Sequence, residues 1–170
     1  MIKNKSCCFL GHRDTVATPE LCERLRQTML HLIEEKGVTR FLFGSASKFD
    51  DLCLKIATEL KHDYPEIKRV YVRSNYPQIT AKYENYLLET YDETYMPERI
   101  ENAGKASYVE RNQEMIDGSD FIIFYYDENY TPKTARKTKS GTKLAYEYAL
   151  RKSEKGAKVI INMATPPNSL

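Results

Sequence analysis

Ser140, Gly141 and Thr142 stand where a loop gives way to a segment of helical period, and Lys133, Arg136, Lys137, Lys139 and Lys143 surround them without one acidic side chain. The serine alone would cap a helix, by accepting a hydrogen bond from an amide of the first turn. A glycine beside it leaves the first amides uncovered, and those amides carry the partial positive charge of the helix start. Binding a phosphate is chemistry this combination can do. A plain cap next to a solvated basic loop is the competing account, and residue types alone do not separate the two.

Three further clusters come directly after apolar runs: Gly11-His12-Arg13, Gly44-Ser45-Ala46 and Arg73-Ser74-Asn75. Glycine after a strand lets the backbone turn sharply and keeps a side chain from standing between its amides and a ligand. Arg13 carries a planar fork that suits two phosphate oxygens at once. His12 reads either as a solvent-facing turn residue or as part of a site. His31 and His62 lie in helical segments without the spacing of metal ligands, so neither a metal nor any other cofactor is expected.

These clusters need a scaffold, and the chain has one. Short runs rich in β-branched and aromatic residues alternate with longer segments of helical period, the mark of parallel strands joined by helices. The runs are 6–10, 40–43, 67–72, 120–126 and 157–162, the first two closed by Gly11 and Gly44. Thr18-Pro19 opens a helix whose Leu21, Leu25, Met29, Leu32 and Ile33 recur at helical spacing up to Gly37. A second helix is predicted from about 49 to 61, with Leu52, Cys53, Ile56, Ala57 and Leu60 inward. Ser107 and Glu110 read as a capping box starting a helix that ends near Asp117-Gly118. Over 74–104, Tyr83, Tyr86, Tyr91 and Tyr95 sit among charges, which predicts only short helices and loops. The expected fold is α/β: a three-layer, Rossmann-like, doubly wound and mainly parallel sheet of five strands. Ligands of such sheets lie beyond the carboxyl ends of the strands, where all four clusters fall.

A length of 170 residues suits one domain spanning 1–170, with 164–170 as a loose tail. The 26 basic and 24 acidic side chains leave a net charge of +2, so an anion site has to be local and not a property of the whole surface. Cys7, Cys8, Cys22 and Cys53 contain no CxxC pair and are expected to be reduced, with the adjacent pair pointing to opposite faces of a strand. No apolar run approaches the length of a membrane span, so no membrane partner and a cytoplasmic location are expected.

The segment 108–127, YVERNQEMIDGSDFIIFYYD, together with FLGHR, FGSASKFDDLCLKIATEL and SGTKLAYEYA, resembles the YpsA-like branch of the SLOG superfamily. The order of the motifs is the same and the likeness covers nearly the whole chain. The resemblance implies a Rossmann-like domain with a pocket for a nucleotide or a nucleotide-derived ligand. It also puts Arg111, Asn112, Met115, Asp117, Ser119 and Asp120 on the branch's Arg-Asn-x-x-Met-Val-Asp-x-Ser-Asp motif. Gly44, Ala46, Phe49 and Asp50 fall on its second turn, and Gly141 and Thr142 on its Gly-Gly-Thr. Ser45 and Lys48 replace glycines of that turn, Ser140 replaces the first glycine of Gly-Gly-Thr, and His12 stands where tyrosine is frequent. The ligand-binding set it implies is Gly11, His12, Arg13, Gly44, Ser45, Asp50, Arg111, Asn112, Ser140, Gly141 and Thr142.

Whether the chain carries out a reaction is open, and no catalytic residue is assigned. The LONELY GUY phosphoribohydrolases of the same superfamily carry a glutamate three residues beyond the threonine of their glycine motif; here that position is Ala145. A methyl group cannot stabilise an oxocarbenium-like transition state. Glu147 is rotated by roughly 200° from it on a helix. As a binding module or sensor, the chain would hold an ADP-ribose-like molecule, with tyrosines such as Tyr125 offered to a base. As an N-glycosidase, it would need Asp50, Glu110 or Glu147 to supply a carboxylate. As a single-strand DNA binder of the DprA kind, it would use the basic 133–143 stretch and its tyrosines. The resemblance also suggests a homodimer.

Overall fold

A computed structural model describes residues 4–44, 47–74, 80–131 and 140–166. Six strands form one sheet: β1 (Lys5–Gly11), β2 (Val38–Phe43), β3 (Lys68–Val72), β4 (Glu93–Tyr95), β5 (Phe121–Tyr125) and β6 (Val159–Asn162). Their order is β4-β3-β2-β1-β5-β6, and every neighbouring pair is parallel. The helices α1 (Pro19–Lys36) and α2 (Lys48–Leu60) pack on one face of the sheet, with Phe9, Phe41, Phe43 and Ile123. On the other face α4 (Ser107–Asp117) and α5 (Gly141–Ser153) cover Cys8, Leu10, Leu42, Val70, Ile122 and Phe124. This is the expected three-layer, doubly wound, Rossmann-like architecture. The sheet has six strands where five were expected.

The additional strand, β4, lies inside the tyrosine-rich segment, after the short helix α3 (Ala81–Leu88). Three residues are too few for a periodic signal, and the strand owes its place to β3. The Asp92 carboxylate accepts the Arg69 backbone amide at 2.8 Å and its Nε at 3.0 Å, while Lys61 approaches to 3.3 Å. The tyrosines there divide. Tyr91 and Tyr95 pack on opposite cores, whereas Tyr83 and Tyr86 stack 6.2 Å apart along α3, with Tyr86 exposed.

Local signals account for most helix starts and for the close of α1. Thr18 accepts the Leu21 amide, Pro19 opens α1, and Gly37 closes it in the left-handed conformation at φ 74°. Ser47 caps α2 by accepting from Asp50, and Ser140 caps α5 by accepting from Lys143 at 3.1 Å. The predicted capping box at the start of α4 is absent, although the helix bounds agree. Ser107 is already the first helical residue, and Ala106 before it offers no capping oxygen. Glu110 instead accepts from Arg99 at 2.9 Å, because the turn at Glu98–Ile100 brings that guanidinium within reach. Cys7 and Cys8 are buried on opposite faces as free thiols, and burial pushes Cys8 up to about 12. Among the described residues, no helix is long and apolar enough to cross a membrane.

Candidate functional site

The sheet order sets the geography of the site. From β1 the chain moves outward through β2, β3 and β4, then returns to β5 on the other side of β1. The connections leaving β1 and β5 therefore run over opposite faces, and a crevice opens beyond their carboxyl ends. Gly11 ends β1 in register with Tyr125, which ends β5. The start of α5 comes after β5 in the chain, so Ser140-Gly141-Thr142 belongs to this edge.

The two glycines at the ends of β1 and β2 have packing duties. A Cβ on Gly11 would lie 2.3 Å from the Phe49 ring, so glycine there lets α2 close onto the sheet. A Cβ on Gly44 would meet Arg111 Cδ at 2.7 Å and Met115 Sδ at 2.9 Å. The Gly44 peptide is held from both sides: its N–H donates to the Asp50 carboxylate at 3.1 Å, and its carbonyl accepts from Arg111 Nη1. Asn112 accepts from Arg111 Nε at 2.9 Å, and Tyr108 lies beneath the guanidinium, 5.8 Å from its carbon. Burial lowers the Arg111 pKa, while the Asp50 charge opposes that shift. Asp50, Arg111 and Asn112 thus form a buried charged clasp joining α2, β2 and α4. In this structure the clasp's contacts are within the chain.

His12 is buried to 3% exposure after β1. Its Nε2 lies 2.9 Å from the Asp127 amide and 3.2 Å from the Asp127 carbonyl, while Nδ1 is buried without a hydrogen-bond partner among the described residues. The ring stacks on Tyr130 with centroids 3.9 Å apart, and Tyr130 donates to Asp14 at 3.0 Å. Burial lowers the imidazole pKa, against a smaller opposing pull from Asp127. His12 therefore binds the segment after β5 down onto the turn after β1. Arg13 is exposed, and its carbonyl accepts the Lys48 amide at 3.1 Å.

At the start of α5, Gly141 is exposed and a Cβ there would meet no atom within 4 Å. Thr142 is half-buried, and Ala145 is buried against the sheet. Tyr125 packs on the face covered by α1 and α2, 6.0 Å from Phe49 of α2, and lines a cleft of about 750 Å³ with Val16, Leu21 and Met163. The ring on the α5 side is that of Tyr126, stacked on Tyr146 at 4.6 Å. Ser45, Ala46 and the basic residues 133–139 lie outside the described residues.

Arg73 was not among the predicted binding residues, although it stands at the end of β3 as Gly11 and Gly44 stand at the ends of their strands. It is only 9% exposed, its amide donates to Tyr95 at 2.9 Å, and its Nε has no hydrogen-bond partner among the described residues. Its place at a strand end was legible in the sequence; its burial was not. No cluster of His, Cys, Asp and Glu able to hold a metal occurs among the described residues.

A parallel, doubly wound sheet whose crevice is edged by a serine-capped helix start defines an α/β protein of the Rossmann-like class. The family model YpsA, described as the YspA SLOG family, matches residues 12–160, and the chain belongs to that family. A search of curated proteins found no match.

Proposed function

We propose that this protein binds a nucleotide or nucleotide-derived anion, of the ADP-ribose kind, at the crevice between β1 and β5, and that it does so without cleaving its ligand. The observation that carries the proposal is the open start of α5. The Ser140 hydroxyl satisfies the Lys143 donor, while Gly141 is exposed and a Cβ there would meet no atom within 4 Å among the described residues. A helix start leaves about four amides without intrahelical partners, and an anion stabilises them together with the helix dipole. Tyr126 and Tyr146 supply aromatic surface beside it, suited to a base.

Binding without turnover is favoured because Ala145 offers no carboxylate where the phosphoribohydrolases place one. Asp50 is engaged with Gly44, and Glu110 with Arg99. Calorimetric titration with AMP, ADP and ADP-ribose, paired with chromatography for free base, tests this. Saturable binding with no base released is expected, and Gly141→Asp should weaken it by at least tenfold. Release of base, or absence of binding to all three nucleotides, overturns the proposal. Assembly as a homodimer through the exposed Tyr86 and Leu88 of α3 is the accompanying proposal, and equilibrium sedimentation of Tyr86→Glu against the parent protein reads it directly.

A further inference from the structure

We infer that Arg73, together with Ser74, forms a second anion subsite at the carboxyl end of β3, so that the ligand carries two separated anionic groups. An arginine keeps its charge at any physiological pH, and a guanidinium withdrawn from water is costly unless a carboxylate or an anion faces it. Among the described residues the other buried arginine obeys that rule: Arg111 has Gly44, Val72 and Asn112 as acceptors, with the Asp50 charge close by. So does Arg69, which is held by both oxygens of Asp92. Arg73 is as withdrawn as a core residue, yet among the described residues it forms no ion pair and its Nε meets no acceptor. Its neighbour Ser74 is buried as well, at 6% exposure.

The position of Arg73 is as informative as its isolation. It is the first residue beyond β3, and its amide is bonded to Tyr95 at the end of β4, so its backbone is anchored while its head is left for a ligand. It shares the carboxyl edge of the sheet with the start of α5. Three strand spacings separate β3 from β5, about 14 Å in all. A nucleotide bearing a second phosphate or a carboxylate away from its first phosphate fits that separation. Only the joining of the two anions in one ligand rests on the proposed function; the subsite itself rests on Arg73.

Thermal unfolding in inorganic phosphate, with sodium chloride of equal ionic strength as control, tests the inference. The parent protein should gain roughly 3–6 °C for each occupied subsite at a tenfold excess over its Kd. Arg73→Met should fold, as its melting without phosphate will show, and should lose part of the phosphate response. Arg73→Lys should keep it. Gly141→Asp should lose the remaining part, and the double variant all of it. If Arg73→Met responds like the parent while Gly141→Asp does not respond, the second subsite is refuted and the proposed function stands. If Gly141→Asp responds like the parent while Arg73→Met does not, the phosphate site at α5 fails and the inference survives. No gain over chloride in the parent overturns both.

Discussion

Replacing Gly44 with alanine places a methyl carbon 2.7 Å from Arg111 Cδ and 2.9 Å from both Arg111 Nη1 and Met115 Sδ. Carbon atoms pack favourably at about 3.5–4.0 Å, so the arginine has to retreat by roughly 1 Å. It cannot do so cheaply, because Nη1 donates to the carbonyl of the residue being changed. Overpacking of this kind costs about 1–3 kcal/mol, and weakening a hydrogen bond from a charged donor about 1.5–3 kcal/mol. A combined loss of about 3–5 kcal/mol is expected, which for a protein of this size lowers Tm by roughly 6–20 °C. Gly141→Ala is the matched control: it adds the same methyl group where no atom lies within 4 Å, and should leave Tm unchanged or slightly raised. Both glycines fall on glycine positions of the family motifs, yet the structure separates them. Urea unfolding of the two variants beside the parent reads the difference. A Gly44→Ala protein within about 0.5 kcal/mol of the parent would refute the clasp as described.

Gly11→Ala should destabilise by a similar mechanism, since its methyl would lie 2.3 Å from Phe49, and Gly11→Ala/Phe49→Leu should recover part of the loss in thermal melts. His12 has a folded pKa below its usual 6.5, so the unfolded chain takes up the proton first. Its contribution is complete above that pH and is lost as pH falls from about 6.5 toward the folded value; His12→Gln should flatten the fall in stability measured by urea titration. Burial pushes the Asp92 carboxyl up, but hydrogen bonds from the Arg69 side chain and backbone outweigh that and bring it down to about 2. Stability from this contact is therefore present above the ordinary carboxylate range and lost as pH falls from about 4 to 2. Asp92→Asn should lower Tm at neutral pH and remove that part of the acid transition.

Much of the scaffold could be read from residue order. Thr18-Pro19 and Gly37 bracket α1, and the β-branched and aromatic runs locate five strands, because caps and short-range periodicity are local properties. β4 escaped because three residues carry no period, and its partner Asp92 is chosen by Arg69, more than twenty positions earlier. The capping box misled because Ser107 and Glu110 have the right spacing but Arg99 competes for the carboxylate.

Composition and motif order alone determined a Rossmann-like α/β chain with charged and glycine-rich clusters at its strand ends. Which cluster faces outward was decided only by the tertiary structure. Arg111 lies more than sixty residues beyond Gly44 and Asp50 and meets them because α4 returns across the sheet, where its charge is balanced against that of Asp50. Among the described residues, nothing packs above Gly141 at the start of α5, and no acidic side chain is brought to Arg73 at the end of β3. Spacing along a chain can place a charge at an edge, but only packing decides whether the protein itself has already answered it.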